Sequence, residues 1–365
     1  MSTEMGAGAG TNGGTGVSAG TGAGTGMSAA IGASAGAPAD TTVLRVKNAP
    51  GFRVDAAALR PAALAALSVA EIERVVLPGG NERCVVGDVF EVLRGEAAAK
   101  FASAASAASA ASAASAASAA SAASAASAAS AGAADSPASA THSASAASTT
   151  APDLATLIID GAGRWLDRVG AEMDGGRLVI RGSAGDYSGF RMSGGVLQID
   201  GDAGHFTGCE MRGGRLTVRG DSGDFVAGAL PGDMEGMTGG TLTIHGNAGA
   251  RLADRMRRGL VLVGGNAGEF AAARLVAGTV GVAGQLGAHY AYGMRRGTLL
   301  LAQRPAPLPP TFTGGGHGFD VFWSLLVRSL AAEIAPFSQW RADRLPARYT
   351  GDLAVGGCGE ILLAG

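Results

Sequence analysis

Residues 194–212 read GGVLQIDGDAGHFTGCEMR, and residues 213–230 start the same pattern again as GGRLTVRGDSGDFVAGAL. A glycine, usually preceded by another, opens each unit, and aliphatic residues stand two and four places after it. Working outward, the opening glycines are Gly176, Gly195, Gly214, Gly240, Gly259, Gly278 and Gly297, at steps of 19, 19, 26, 19, 19 and 19 residues. One unit alone is stretched, by seven residues. The paired positions are Leu178/Ile180, Leu197/Ile199, Leu216/Val218, Leu242/Ile244, Val261/Val263, Val280/Val282 and Leu299/Leu301. All are aliphatic, whereas Arg177, Gln198, Arg215, Thr217, Thr241 and Thr243 flank them. Alternation with period two, restarted every 19 residues, is a strand signal and not a helix signal.

One short strand cannot bury its apolar side alone, but stacked copies share a continuous core. The sequence therefore predicts a mainly β fold. It is a right-handed parallel β-helix, a β-solenoid of about seven or eight coils of 19 residues, over 153–302. Seven coils at strand spacing would make a column about 30–35 Å long. Glycine recurs after each strand at Gly182, Gly201, Gly220, Gly246, Gly265 and Gly284, and again three residues later. These are expected at corners, where only a residue without Cβ accepts positive φ cheaply.

Composition bounds the function. With a net charge of −2, nothing suggests nucleic acid or an anionic membrane as partner. Cys84, Cys209 and Cys358 are an odd, scattered set, which argues against a disulfide framework and for a reducing compartment. Neither a membrane-length apolar run nor a signal-peptide pattern is present, so the expected location is the cytoplasm. Only Lys47 and Lys100 are lysines, a bias of coding composition more than of chemistry.

In chain order, residues 1–41 are a Gly/Ala/Ser/Thr-rich tail expected to be disordered. Residues 42–96 form a small α/β cap for the first coil: a strand at Thr42–Val46, helical spacing from Pro61 to Val76, and a turn at Gly79-Gly80-Asn81. Ser68 and Glu71 make a capping box that restarts the helix. Cys84 to Leu93 reads as strand. Residues 97–152 are a Ser-Ala-Ala low-complexity linker. Leu157 and Ile159 occupy the inward slots of one leading coil, with Gly161 at its corner. Residues 303–365 form a C-terminal helix/strand cap after PAPLPP at 305–310; Phe322, Leu326, Leu330 and Ile334 make the apolar face of its helix.

Several columns carry further detail. Arg181, Asp200 and Arg219 alternate in sign and predict a charge ladder. On the same outer face the later coils turn apolar, with Leu260, Leu262 and Leu300, so something covers them: the C-terminal helix or another subunit. Tyr187, Phe206, Phe225, Arg251, Phe270 and His289 form a column whose rings are expected to stack.

Catalytic signals are thin. His205 and Cys209 stand four apart across a glycine without a second pair, a poor zinc site. Glycine triplets resembling a dinucleotide fingerprint fall at corners and lack the helix it requires. The densest basic cluster is Arg255, Arg257 and Arg258, with Arg295 and Arg296 two coils later on nearly the same corner. It is either a solvated corner or a site for a carboxylate-bearing ligand or an acidic neighbour.

The repeats GSAGDYSGFRMSGG, GDAGHFTGCEMRGG and AGALPGDMEGMTGG resemble the Gly-x-Gly-x-Gly β-helix domain. That domain is shared by the large subunit of glutamate synthase and by the C-subunit of formylmethanofuran dehydrogenase. The flanks choose between them. LSVAEIERVVLPGGN followed by VGDVFEV is similar to the start of the C-subunit family. The MRRG coils, PLPPTFTGGGHGFDVFW and GDLAVGGCGEILL resemble its bacterial branch, the C-subunit of the formyltransferase/hydrolase complex. The resemblance spans about 42–96 and 153–365; the long tract inserted after FEV departs from it.

The resemblance implies a cytoplasmic complex of one-carbon metabolism. Such a complex moves a formyl group from formyl-tetrahydromethanopterin to a furan-type carrier and releases formate, here in formaldehyde oxidation. It implies that this chain is a scaffold with no catalytic residue and no cofactor of its own. Metal and pterin-type sites would belong to partner subunits: a metal-dependent hydrolase, a formyltransferase and a pterin-type chain. Two alternatives remain at this point, an acidic-carrier site on the arginine corner and a stand-alone glutamate synthase-like module in ammonia assimilation.

Overall fold

Each repeat unit lays down one rung of a parallel ladder, because its two aliphatic side chains can leave water only against the units before and after it. The computed structural model describes residues 41–103, 155–305, 307–316 and 318–364. The expectations for the N-terminal tail and for most of the Ser-Ala-Ala linker lie outside the described residues.

The chain opens with β1 (Thr41–Val46), β2 (Val54–Asp55), α1 (Pro61–Ala65), α2 (Val69–Glu73), β3 (Val76–Gly79), β4 (Glu82–Val85), α3 (Val86–Val89) and β5 (Phe90–Arg94). A helix over 95–103, α4, follows. The leading coil is β6 (Thr156–Ala162) with β7 (Leu166–Asp167). Seven rungs come next: β8 (Arg177–Gly182), β9 (Val196–Ile199), β10 (Arg215–Val218), β11 (Thr241–Ile244), β12 (Leu260–Val263), β13 (Thr279–Val282) and β14 (Thr298–Leu301). β15 (Thr313–Gly314), α5 (Asp320–Leu330), β16 (Ala347–Gly351) and β17 (Gly359–Leu363) complete the chain.

The register keeps equivalent residues in line: Leu178, Leu197, Leu216, Leu242, Val261, Val280 and Leu299 pair in sequence through the stack. All fourteen inward positions have 0% exposure. Burying each such side chain is worth about 1.5–3 kcal/mol against leaving it in water. A methionine column (Met173, Met192, Met211, Met237, Met256 and Met294) fills the rest of the interior and is fully buried.

Both ends are extended by a rung from outside the repeat. β1 pairs parallel with β6, and β17 pairs parallel with β14. Each added rung is then closed by an antiparallel strand, β5 on β1 and β16 on β17. A parallel stack exposes unpaired edges at both ends, and these strands satisfy them.

Several local expectations need correction. The stretch from Cys84 to Leu93 is broken by the one-turn α3. There Asp88 Oδ2 accepts the Val85 N–H at 3.1 Å, and Gly87 lies close against the backbone of Glu73. The α2 capping box forms as expected, with Glu71 Oε2 accepting the Ser68 N–H at 2.7 Å. Residues 97–103, assigned to the linker by composition, belong to α4. Its Ala98 and Phe101 pack on Val43, Ile158 and Val179 of the outer sheet face.

Gly161 and Gly182 take the positive φ expected at corners, 80° and 130°, but the corner glycines of the later coils serve a different purpose. Gly201 has no positive φ; a Cβ there would meet the backbone of Gly182 at 2.8 Å, so the constraint is close approach between coils. Positive φ falls on the opening glycines, such as Gly195 at 78°, and on the ring column, with 61° at Tyr187, 58° at Phe206, 60° at Arg251 and 59° at His289. Such a conformation costs about 1–3 kcal/mol at a bulky residue, and stacking offsets it. Tyr187–Phe206 and Phe206–Phe225 stack at 4.8 Å, Arg251 lies between Phe225 (5.7 Å) and Phe270 (5.1 Å), and Phe270 stacks on His289 at 4.9 Å.

Candidate functional site

Three places could carry function: the arginine corner, the late apolar face and the turn that ends the solenoid. At the corner, the amides of Arg257, Val276 and Arg295 donate to Met237, Met256 and Leu275 in successive coils. Arg257 and Arg295 therefore share one column, two rungs apart, or about 10 Å at strand spacing. Arg258 and Arg296 stand beside them, and all four are exposed. Arg212 belongs to the same column two rungs earlier and escaped the sequence reading, because it lacks the neighbouring arginine of the MRRG units.

Arg255 does not join this group. Its guanidinium donates to the Asp233 carbonyl in the seven-residue insertion, and Glu235 of that insertion pairs with Arg257 at 3.0 Å. Insertion and corner are thus complementary in charge. Arg212, Arg258, Arg295 and Arg296 have no ion-pair or hydrogen-bond partner for their side chains among the described residues.

The apolar face is already covered by this chain. Leu262 and Leu300 are fully buried, and Leu260 half-buried, beneath Trp323, Leu326, Leu330 and Phe337. Of the two covers expected, the C-terminal helix is the one seen, so these leucines are not a free docking face. The inward residue of α5 is Trp323 and not Phe322, which is exposed. Trp323 donates from Nε1 to the Arg341 carbonyl at 3.1 Å and packs on Trp340. Arg215 of β10 adds a two-pronged contact to Glu333, at 2.9 and 3.0 Å.

Polar side chains at the corners are largely committed to holding coil on coil. Ser183, Asp202, Asp221, Asn247 and Asn266 each accept the backbone N–H of the residue stacked on them, at 2.7–3.2 Å. A second ladder runs through Asp167, Asp186, His205 and Asp224. His205 Nδ1 accepts the Asp224 N–H at 3.0 Å, so that nitrogen is a ladder acceptor and its 3.6 Å approach to the Asp224 carboxylate is not an ion pair. Hydrogen bonding from Asp221, then Arg164, holds the Asp202 carboxyl below its usual range. Burial, with Glu210 adjacent, pushes the Cys209 thiol far up, away from thiolate chemistry. No cluster of three or more His, Cys, Asp or Glu fit to hold a metal occurs among the described residues. The charge column is half formed: Arg219 pairs with Asp200 at 3.2 Å, while Arg181 lies over the Phe101 ring.

A cleft of about 510 Å³ opens between the last coil and the proline-rich segment. Leu286, His289 and Tyr292 line one side, and Pro305, Leu308 and Pro309 the other. The Tyr290 hydroxyl, pushed up to about 12 by burial, donates across it to the Pro307 carbonyl at 2.9 Å. No helix among the described residues is long and apolar enough to cross a membrane.

Residues 154–307 match the family model described as the GXGXG motif. No curated protein sequence matches the chain. Among solved structures, the chain is similar to one in the formyltransferase/hydrolase complex (FhcABCD) from Methylorubrum extorquens, crystallised with methylofuran. The identity is 32%, the alignment covers 88% of this chain and 99% of that one, and the TM-score is 0.66. With both flanks included in so long a match, the chain belongs to the C-subunit family of formylmethanofuran dehydrogenase, in its bacterial formyltransferase/hydrolase branch.

Proposed function

We propose that this chain is the structural C-subunit of a formyltransferase/hydrolase complex. The assembly moves a formyl group from formyl-tetrahydromethanopterin to a furan-type carrier and releases formate in formaldehyde oxidation. The reading rests on one observation above all, the alignment to 99% of a chain from such a complex. The corner ladders support the scaffold role, since they commit the carboxylates and His205 to joining coils. In this reading the hydrolytic metal and the pterin-type sites lie in partner chains, and the complex works in the cytoplasm. Affinity purification of the tagged full-length chain from its native host should recover the hydrolase and formyltransferase chains in fixed ratio. Recovery of this chain alone, folded and monodisperse, would overturn the proposal.

A second reading concerns the corner itself. Arg258, Arg295 and Arg296 project into solvent without an anionic partner among the described residues, which suits a carboxylate-bearing carrier or an acidic partner segment. Replacing Arg258, Arg295 and Arg296 by Ala should then raise the KM for the carrier while the complex stays assembled. Unchanged kinetics would end this reading.

A further inference from the structure

In the coils before the last, corner amides donate onward to the next coil at matching places. Ala248 and Ala267 donate to the carbonyls of Asn266 and Gln285, both at 2.9 Å. Arg251 and Phe270 donate to Glu269 and Ala288, at 2.7 and 2.9 Å. Arg255 and Arg274 donate to Ala273 and Tyr292, at 3.1 and 2.6 Å. Leu286, His289 and Gly293 hold these three places in the last coil. Gly293 is provided for, because Asp352 Oδ2 accepts its N–H at 3.0 Å. No described residue accepts from the Leu286 or His289 amide.

The reason lies in the chain path. At Pro305 the segment leaves the solenoid, and the carbonyl that the repeat would offer to His289, that of Pro307, is bonded to the Tyr290 hydroxyl instead. The ring column ends at the same point. His289 stacks on Phe270 through one face, and no ring or guanidinium among the described residues covers the other. Both amides and the ring border the cleft beside the last coil, whose 510 Å³ lies within the usual range for bound ligands of about 300–1,000 Å³.

The repeat itself shows what chemistry fits there. In earlier coils the two amides meet carbonyls three residues apart within the next coil, Asn266 with Glu269 and Gln285 with Ala288. In the ring column every member is aromatic or a guanidinium. We infer that the cleft receives an extended peptide segment from a partner subunit, which seats as one more coil. It gives two backbone carbonyls to the amides of Leu286 and His289 and lays an aromatic or arginine side chain on the His289 ring. Main-chain bonds supply affinity and the ring position supplies selectivity, as in other strand additions. The inference rests on the proposed membership of a multi-subunit complex.

Hydrogen exchange over residues 284–292, compared between the isolated full-length chain and the purified complex, tests it. Exchange at Leu286 and His289 should slow at least tenfold in the complex. His289→Ala should weaken assembly by roughly 3- to 10-fold, the worth of one aromatic contact, and His289→Phe should restore it. A complex that forms without slowing exchange at these amides overturns the inference alone, as does equal assembly by His289→Ala and the unaltered chain. A chain that purifies without partners sinks the functional proposal and this inference together.

Discussion

Gly281 lies directly under the Phe337 ring: a Cβ added to it would come within 2.9 Å of the ring's Cε1 atom. Gly281 sits mid-strand in β13, where every other rung carries a side chain, and the ring fills that gap. Phe337 is fully buried and links the C-terminal segment to the sheet through Leu262 and Leu300. Gly281→Val is therefore expected to lower stability by about 1–3 kcal/mol, although valine favours strands, because the added atoms overpack the contact. Phe337→Ala should cost about 3–5 kcal/mol. Urea unfolding checks both, and a neutral Gly281→Val would refute the contact.

Arg251 replaces a ring in the aromatic column without breaking the stack, since its guanidinium faces Phe225 and Phe270. Two cation–π contacts at a half-exposed site are worth about 1–2 kcal/mol together. Arg251→Ala should lose that amount in denaturant melts, and Arg251→Phe should keep most of it. Equal losses for the two variants would assign Arg251 some other role.

Asp202 should give the fold a recognisable acid response. Its carboxyl accepts the Asp221 N–H at 3.0 Å and lies 3.0 Å from Arg164, and both contacts favour the charged form. With the folded pKa below the unfolded value, this stabilisation is complete above the ordinary carboxylate range of about 3.9. It is then lost as the pH falls through the folded pKa. Asp202→Asn keeps a ladder acceptor and should show a shallower decline in stability below about pH 4. Parallel acid titrations of the two proteins, with identical slopes, would contradict this. The side chain is 40% exposed, so the difference is expected to be small.

Glu333 has 6% side-chain exposure, and Arg215 is its ionic partner. Glu333→Gln should cost about 1.5–3 kcal/mol, the usual worth of hydrogen bonds to a charged group. Limited proteolysis should then cut the segment after α5 sooner than in the unaltered chain. No change in either measurement would show the pair to be dispensable.

Much of this molecule is legible in the order of its residues. The inward slots could be assigned because strand side chains alternate with period two and the repeat resets that alternation every 19 residues. Tyr187, Phe206 and Phe225 could be placed in one stack for the same reason, and the Ser68–Glu71 cap because it is a contact between near neighbours. The corner arginines were found as a cluster, but the removal of Arg255 toward Asp233 was not visible, because the insertion carries that acid back across the fold.

Periodicity thus specified the solenoid, its rungs and its dry interior, since those depend on spacings that repeat along the chain. Tertiary packing alone settled the rest. It turned Trp323 inward in place of Phe322, laid α4 and α5 on the outer face, and made close approach the reason for Gly201. It also added β1 and β17 as end rungs and left the amides of Leu286 and His289 facing a cleft. Each of these outcomes joins segments far apart in sequence that share no period. Only the geometry of the assembled stack, through contact distance and the need to pair buried polar groups, selects among them.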